Sequence, residues 1–246
     1  MEVHAHTHTA RKKWTHYFWE FLMLFLAVTL GFFVENQREH YVEHVRAKEF
    51  GALMYEDLKK DTTFFRRGSE KLAMIKRHQD SLGMMLRMDI KKMNNYSVIK
   101  QWISSLWALS FTPQQATYEQ MKNSGSLRYI KNIKLIDNMQ EYYNNMLPRI
   151  SHWHSIHSEL TEKRMVPFLE DHVNYQEVNM FSDTIYTSNP EIFDWNKKAA
   201  IKLFNTMALL REQNEILDRS YNSASEKAGI LMELLHKEYD LNESGK

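Results

Sequence analysis

The chain has 246 residues, 43% of them hydrophobic and 13% aromatic, with a formal charge of +1. It is long enough to bury a full core and too near neutrality to be built for a nucleic-acid partner. Only 7 glycines and 4 prolines punctuate a chain rich in Met, Leu, Lys, Glu, Gln and Arg, which predicts an all-α fold; zero cysteines exclude disulfides, thiolate chemistry and cysteine-ligated metals.

In chain order, the first feature is the tail "HAHTHT", where His4, His6 and His8 alternate. Any flexible histidine-rich peptide can chelate a transition metal adventitiously, and the tail ends in Arg11-Lys12-Lys13. The segment from Trp14 to Val34 follows, with Glu20 as its single formal charge. About 20 mostly apolar residues at ~1.5 Å rise each cross a bilayer, so residues 14–35 are expected to be a transmembrane helix. Trp14, Tyr17 and Trp19 form an aromatic belt at its start. A cleaved signal peptide would need small residues after the apolar core, where Gly-Phe-Phe-Val-Glu-Asn stands instead. A buried soluble helix is the other alternative, and the anchor is favoured over both. Basic residues before the span and mixed charges after it place residues 1–13 in the cytoplasm and residues 36–246 in the periplasm, with the span in the inner membrane.

Glu20 has two readings. It lies one or two turns inside the cytoplasmic end, within reach of headgroups or Lys13, which favours an interfacial or helix-pairing role over a protonatable, ion-coupled site. Ala27 and Gly31 form a small-xxx-small pair that would let two spans approach closely.

Beyond the span no proline interrupts the helix, and Val42, Val45, Phe50, Leu53, Met54 and Leu58 roughly share one stripe, which predicts a stalk leading into a bundle. A second helix is expected over Leu72–Leu86 and a third, more apolar, over Val98–Trp107. Trp102, Trp107 and Trp153 are core candidates. Thr112-Pro113-Gln114-Gln115 has the form of a capping box, so a helix should start there and stop at Asn123-Ser124-Gly125. The next helix, from Leu127, should break or kink at Pro148, and its successor should end at Pro167. Residues 173–190 read mostly as loop, with a helix start at Ser188-Asn189-Pro190.

The last helix is the most regular. Leu203, Met207, Leu210, Asn214, Leu217, Tyr221, Ala224, Ala228, Leu231 and Leu235 alternate by four and three, the seam of a coiled coil. Asn214 is its one strongly polar position, where a buried amide would fix register or partner number. The seam either joins two chains or, the favoured reading, lays the helix against the stalk of its own bundle.

Catalytic motifs are missing: there is no HExxH, GxSxG, Walker or dinucleotide signature. His154 and His157 have the i, i+3 spacing that lets two imidazoles meet one metal, whereas His152 is off that face, so a metal or hydrolytic site here is a minor alternative. No cofactor is expected.

The stretches "EFLMLFLAVTLGFFVENQRE", "YEDLKKD" and "TYEQMKNSGSLRYIKN" followed by "EYYNNM" together resemble an uncharacterised family of single-pass membrane proteins, abundant in Bacteroidota. The resemblance covers the N-terminal two-thirds of the chain. It implies an acidic residue at the start of the span, matched by Glu20, and a helical extracytoplasmic domain, and supplies no activity. Many members end the span in Asn-Asn-Trp, where Glu35-Asn36-Gln37 stands here. The expected function is therefore a membrane-anchored, non-enzymatic interaction or scaffold protein, self-associating through span or seam or bound to a membrane protein partner. A sensor or ion-coupled component working through Glu20 or a bundle ligand is the alternative.

Overall fold

The computed structural model describes residues 14–88, 92–106, 111–179 and 184–241. The protein is mostly helical, as the composition predicts. It forms two compact units, Met1–Glu49 and Phe50–Lys246. The histidine tail and Trp107 lie outside the described residues.

One helix, α1, runs from Trp14 to Met85. The separate helix expected over Leu72–Leu86 is its last stretch, since no proline interrupts α1 and Gly68 is accommodated within it. From Gly51 onward its buried positions are Gly51, Met54, Leu58, Asp61, Phe65, Gly68, Leu72, Ile75, Gln79 and Leu82, alternating by three and four. Helix α7, Lys197–Tyr239, has the same alternation of buried positions from Leu203 to Leu235. The two helices run antiparallel, since Gly51 meets Tyr239, Gly68 meets Tyr221 and Gly83 meets Phe204. A Cβ on Gly68 would lie 2.7 Å from the Tyr221 ring, so this socket requires a residue without a side chain. Lys76–Glu215 at 3.4 Å and Asp80–Arg211 tie the rims together.

Between them the chain builds a short cap and a second wall. Helix α2, Asn95–Ser104, is capped by Asn94, whose side chain accepts from the Ser97 N–H. It buries Val98, Ile99, Trp102 and Ile103 against Leu82, Phe168 and Leu203. Helix α3, Ala116–Asn123, begins later than the Thr112-Pro113 signature predicts. The Gln114 N–H donates instead to Asp61 Oδ1 at 3.1 Å, which draws residues 112–115 out of helical geometry. The expected stop holds: α3 ends at Asn123, and Gly125 takes φ 71°, the left-handed region.

Helices α4 (Ile133–Gln140), α5 (Leu147–Leu160) and α6 (Val166–His172) follow one another without the breaks expected at Pro148 and Pro167. Each proline is preceded by a π turn, Glu141–Met146 and Thr161–Met165. A proline lacks an N–H and its ring strikes the carbonyl four residues back. The wider i to i+5 turn shifts that carbonyl and relieves both problems, so the helical run continues. Helix α5 packs along α7. Trp153 is half-buried, not a core residue. Residues 178–185 include a small antiparallel pair, β1 (Val178–Asn179) with β2 (Thr184–Ile185). The helix start expected at Ser188-Asn189-Pro190 falls at Asn196, whose Oδ1 accepts from the N–H groups of Lys198 and Ala199.

Candidate functional site

Among the described residues one helix, α1, is long and apolar enough to cross a membrane, with a window of mean hydropathy 1.9 that is 0% buried. Trp14, Phe21, Leu24, Val28, Phe32 and Val34 are all more than 60% exposed, so the apolar surface wraps the helix. Soluble helices hide at least one apolar face. Glu20 lies within this surface, its Oε1 3.0 Å from His16 Nε2 one turn earlier. Ala27 and Gly31 are exposed, and a Cβ on Gly31 would meet nothing within 4 Å.

A second centre is buried and polar. Asp61, 2% exposed, sits among the apolar seam positions of α1. The Tyr142 hydroxyl donates to its Oδ2 at 2.9 Å and the Gln114 N–H to its Oδ1. One turn earlier, Asp57 Oδ2 accepts from Thr117 Oγ1 at 2.6 Å. The first π turn supplies the tyrosines: Tyr143 stacks on Tyr118 with ring centres 4.4 Å apart, and Asn144 Nδ2 donates to the Tyr118 hydroxyl at 2.8 Å. Burial pushes the Asp61 carboxyl up to about 6, against the bonds from Tyr142 and Gln114, which lower it; Asp57 adds a smaller upward push. Burial, with the Asp61 charge beside them, pushes the Tyr142 and Tyr143 hydroxyls up as well, so Tyr142 holds its proton and donates it. The centre stores a proton-sensitive carboxyl that pins α1 to the segment just before α3 and to the π turn, while Asp57 holds α3 itself. Sequence reasoning passed over it; its signal is an acid on a heptad seam position, followed far along by the paired tyrosines of "EYYNNM".

The seam residues Leu210, Asn214, Leu217, Tyr221 and Leu231 are buried within the single chain. The Tyr221 hydroxyl lies 2.6 Å from His154 Nε2, and the His154 ring stacks on Phe111. His157 is pushed down by burial, opposed by a side-chain hydrogen bond with Asn214. The two histidines considered as metal ligands thus turn to separate partners on α7. Among the described residues no three His, Cys, Asp or Glu side chains gather to hold an ion, so the structure supplies no third ligand for them.

Comparison with protein families, with curated proteins and with solved structures gave no match for this chain.

Proposed function

We propose that the protein is a membrane-anchored, non-enzymatic interaction or scaffold module, with residues 14–35 spanning the inner membrane, residues 1–13 in the cytoplasm and residues 36–246 in the periplasm. The observation that carries the reading is the exposed apolar surface of α1 before Glu35, which a bilayer or another span would cover. The charge asymmetry about the span and the likeness of "EFLMLFLAVTLGFFVENQRE" to the uncharacterised Bacteroidota family point the same way. With the α7 seam consumed inside the chain, self-association falls to the span, where Ala27 and Gly31 offer a face with no side-chain bulk.

The absence of cysteine makes the test clean. Single cysteines at Thr7 and Asn222 are exposed to an impermeant thiol reagent in intact spheroplasts. Labelling at 222 and not at 7 is the expected outcome, and labelling at 7 alone, or at neither position, overturns the orientation. A cysteine at Gly31 should crosslink two chains, and Ala27→Leu should abolish the crosslink. Glu20→Gln should leave crosslinking intact, since an interfacial pair with His16 is not required for the close face.

A further inference from the structure

Residues 111–115 lead into α3 in neither helix nor strand. Among the described residues, one hydrogen bond ties residues 111–114 to the rest of the chain, from the Gln114 N–H to Asp61 Oδ1 at 3.1 Å. The other bond they make, from Gln114 Nε2 to the Thr112 carbonyl, stays within the segment. Phe111 adds a ring contact, its centre 5.0, 5.6 and 5.7 Å from those of Phe64, Phe65 and His154. Segments with so few anchors open locally before the core does. Asp61 is itself 2% exposed. Of the two groups bonded to it, Tyr142 is fully buried in the π turn, whereas Gln114 is half-buried and flanked by the exposed Thr112 and Gln115. The strap is thus the less anchored of the two contacts that cover a buried carboxyl.

That carboxyl fits under the closed strap best when neutral. A protonated Asp61 keeps both contacts, Oδ1 accepting from Gln114 and the Oδ2 hydroxyl donating to the Tyr142 oxygen. An ionised one also keeps both, as an acceptor, but holds its charge out of water. The groups around it do little to offset that. On α1, the Lys60 side chain is 62% exposed and turns to Asp57 at 3.5 Å, while Asp57, one turn away, repels a second carboxylate. The π turn offers the hydroxyls of Tyr142 and Tyr143, and α3 offers Thr117, already bonded to Asp57. The register set by Gly51 with Tyr239 and Gly68 with Tyr221 brings Ala224 and Ala228 of α7 to this level, and Lys227 beside them turns to Asn138 at 3.0 Å. We propose that residues 111–115 are a proton-controlled strap: closed, it holds Asp61 protonated, and its opening accompanies release of that proton. The closed carboxyl titrates at about 6 and returns to the ordinary carboxylate range once water enters. Opening is therefore rarest below about pH 4, rises through the window from about pH 4 to pH 6, and levels off above it. Every residue involved lies after residue 50, so the inference is independent of the membrane reading.

The test is hydrogen–deuterium exchange of the full chain in detergent at pH 4.5 and pH 7, read by mass spectrometry over peptides spanning 111–116 and 207–217. Each rate is corrected for the pH dependence of intrinsic amide exchange. The corrected opening of 111–116 should rise on the order of 20-fold from the lower pH to the higher. At both pH values it should exceed that of 207–217, in the buried seam of α7. Asp61→Asn, which keeps the shape and both contacts, should abolish the rise. Equal corrected exchange at the two pH values overturns the strap. So does exchange no faster than that of 207–217, which would mean that the segment opens only with the whole bundle. A rise that persists in Asp61→Asn traces to His154 against Phe111 and overturns the assignment to Asp61. Should the variant fail to fold, the two comparisons made on the parent decide by themselves.

Discussion

Asp61 places a carboxyl where its seam neighbours Leu58 and Phe65 place hydrocarbon, and the consequence is a pH-dependent stability. Its folded value of about 6 lies above the ordinary carboxylate range. Between about pH 4 and pH 6 the folded state therefore keeps a proton that the unfolded chain releases, so stability falls as pH rises through that window. Above pH 6 the loss is complete and constant, on the order of 2–3 kcal/mol for a shift of about two units. Asp61→Asn removes the titration and keeps both contacts, since its Oδ1 accepts from the Gln114 N–H and its Nδ2 donates to the Tyr142 oxygen. Urea unfolding at pH 8 should show the variant more stable than the parent by roughly 2–3 kcal/mol, and at pH 4.5 the difference should shrink to about 1 kcal/mol. A difference that is the same at both pH values would show that Asp61 is ionised throughout.

At the scale of elements, α7 was readable because its seam is almost wholly apolar, with Asn214 as the lone interruption. Its partner stripe on α1 was only half readable. The buried positions Gly51, Asp61, Gly68 and Gln79 carry no hydrophobic signal, so the periodicity emerges only once burial is known. The same limit explains the prolines: a proline reads as a stop, and a π turn that absorbs it leaves no mark in composition. The capping signature at Thr112 failed because a distant acid, Asp61, outcompeted the local cap for the Gln114 N–H. Of the candidate residues, the exposed apolar stretch of α1 was legible from hydropathy alone, whereas the Asp61 centre depends on contacts more than fifty residues apart. The glycine sockets make this packing testable. Gly68→Ala gains helix propensity of about 1 kcal/mol, but its Cβ would lie 2.7 Å from the Tyr221 ring. That ring is 0% exposed and its hydroxyl sits against His154, so it has nowhere to move. Overpacking costs of about 1–3 kcal/mol should win, giving a net loss in urea unfolding. Gly31→Ala, which meets nothing within its own chain, should not lower the urea midpoint.

On the scale of the whole molecule, the core and the exposed apolar surface fall on opposite sides of residue 50. Among the described residues, only Ala47 of the buried hydrophobic side chains precedes it, while exposed aromatic and aliphatic side chains crowd between Trp14 and Val34. The forces that hold the bundle together are therefore separable from those that would anchor it. A chain beginning at Phe50 retains every buried seam position of α1 from Gly51 to Leu82, the Asp61 network and all of α7. What it loses is the helix preceding Phe50, which leaves the first four N–H groups of the shortened α1 to water and frays its opening turn. Gly51, which faces Tyr239 of α7, sits in that turn, so the cost should be felt there and amount to about 1–2 kcal/mol. The shortened chain should remain in the supernatant without detergent, unfold in one cooperative transition, and show a urea midpoint only modestly below that of the full chain in detergent. Aggregation of the shortened chain, or loss of the cooperative transition, would mean that residues before 50 complete the core and that anchor and bundle are one folding unit.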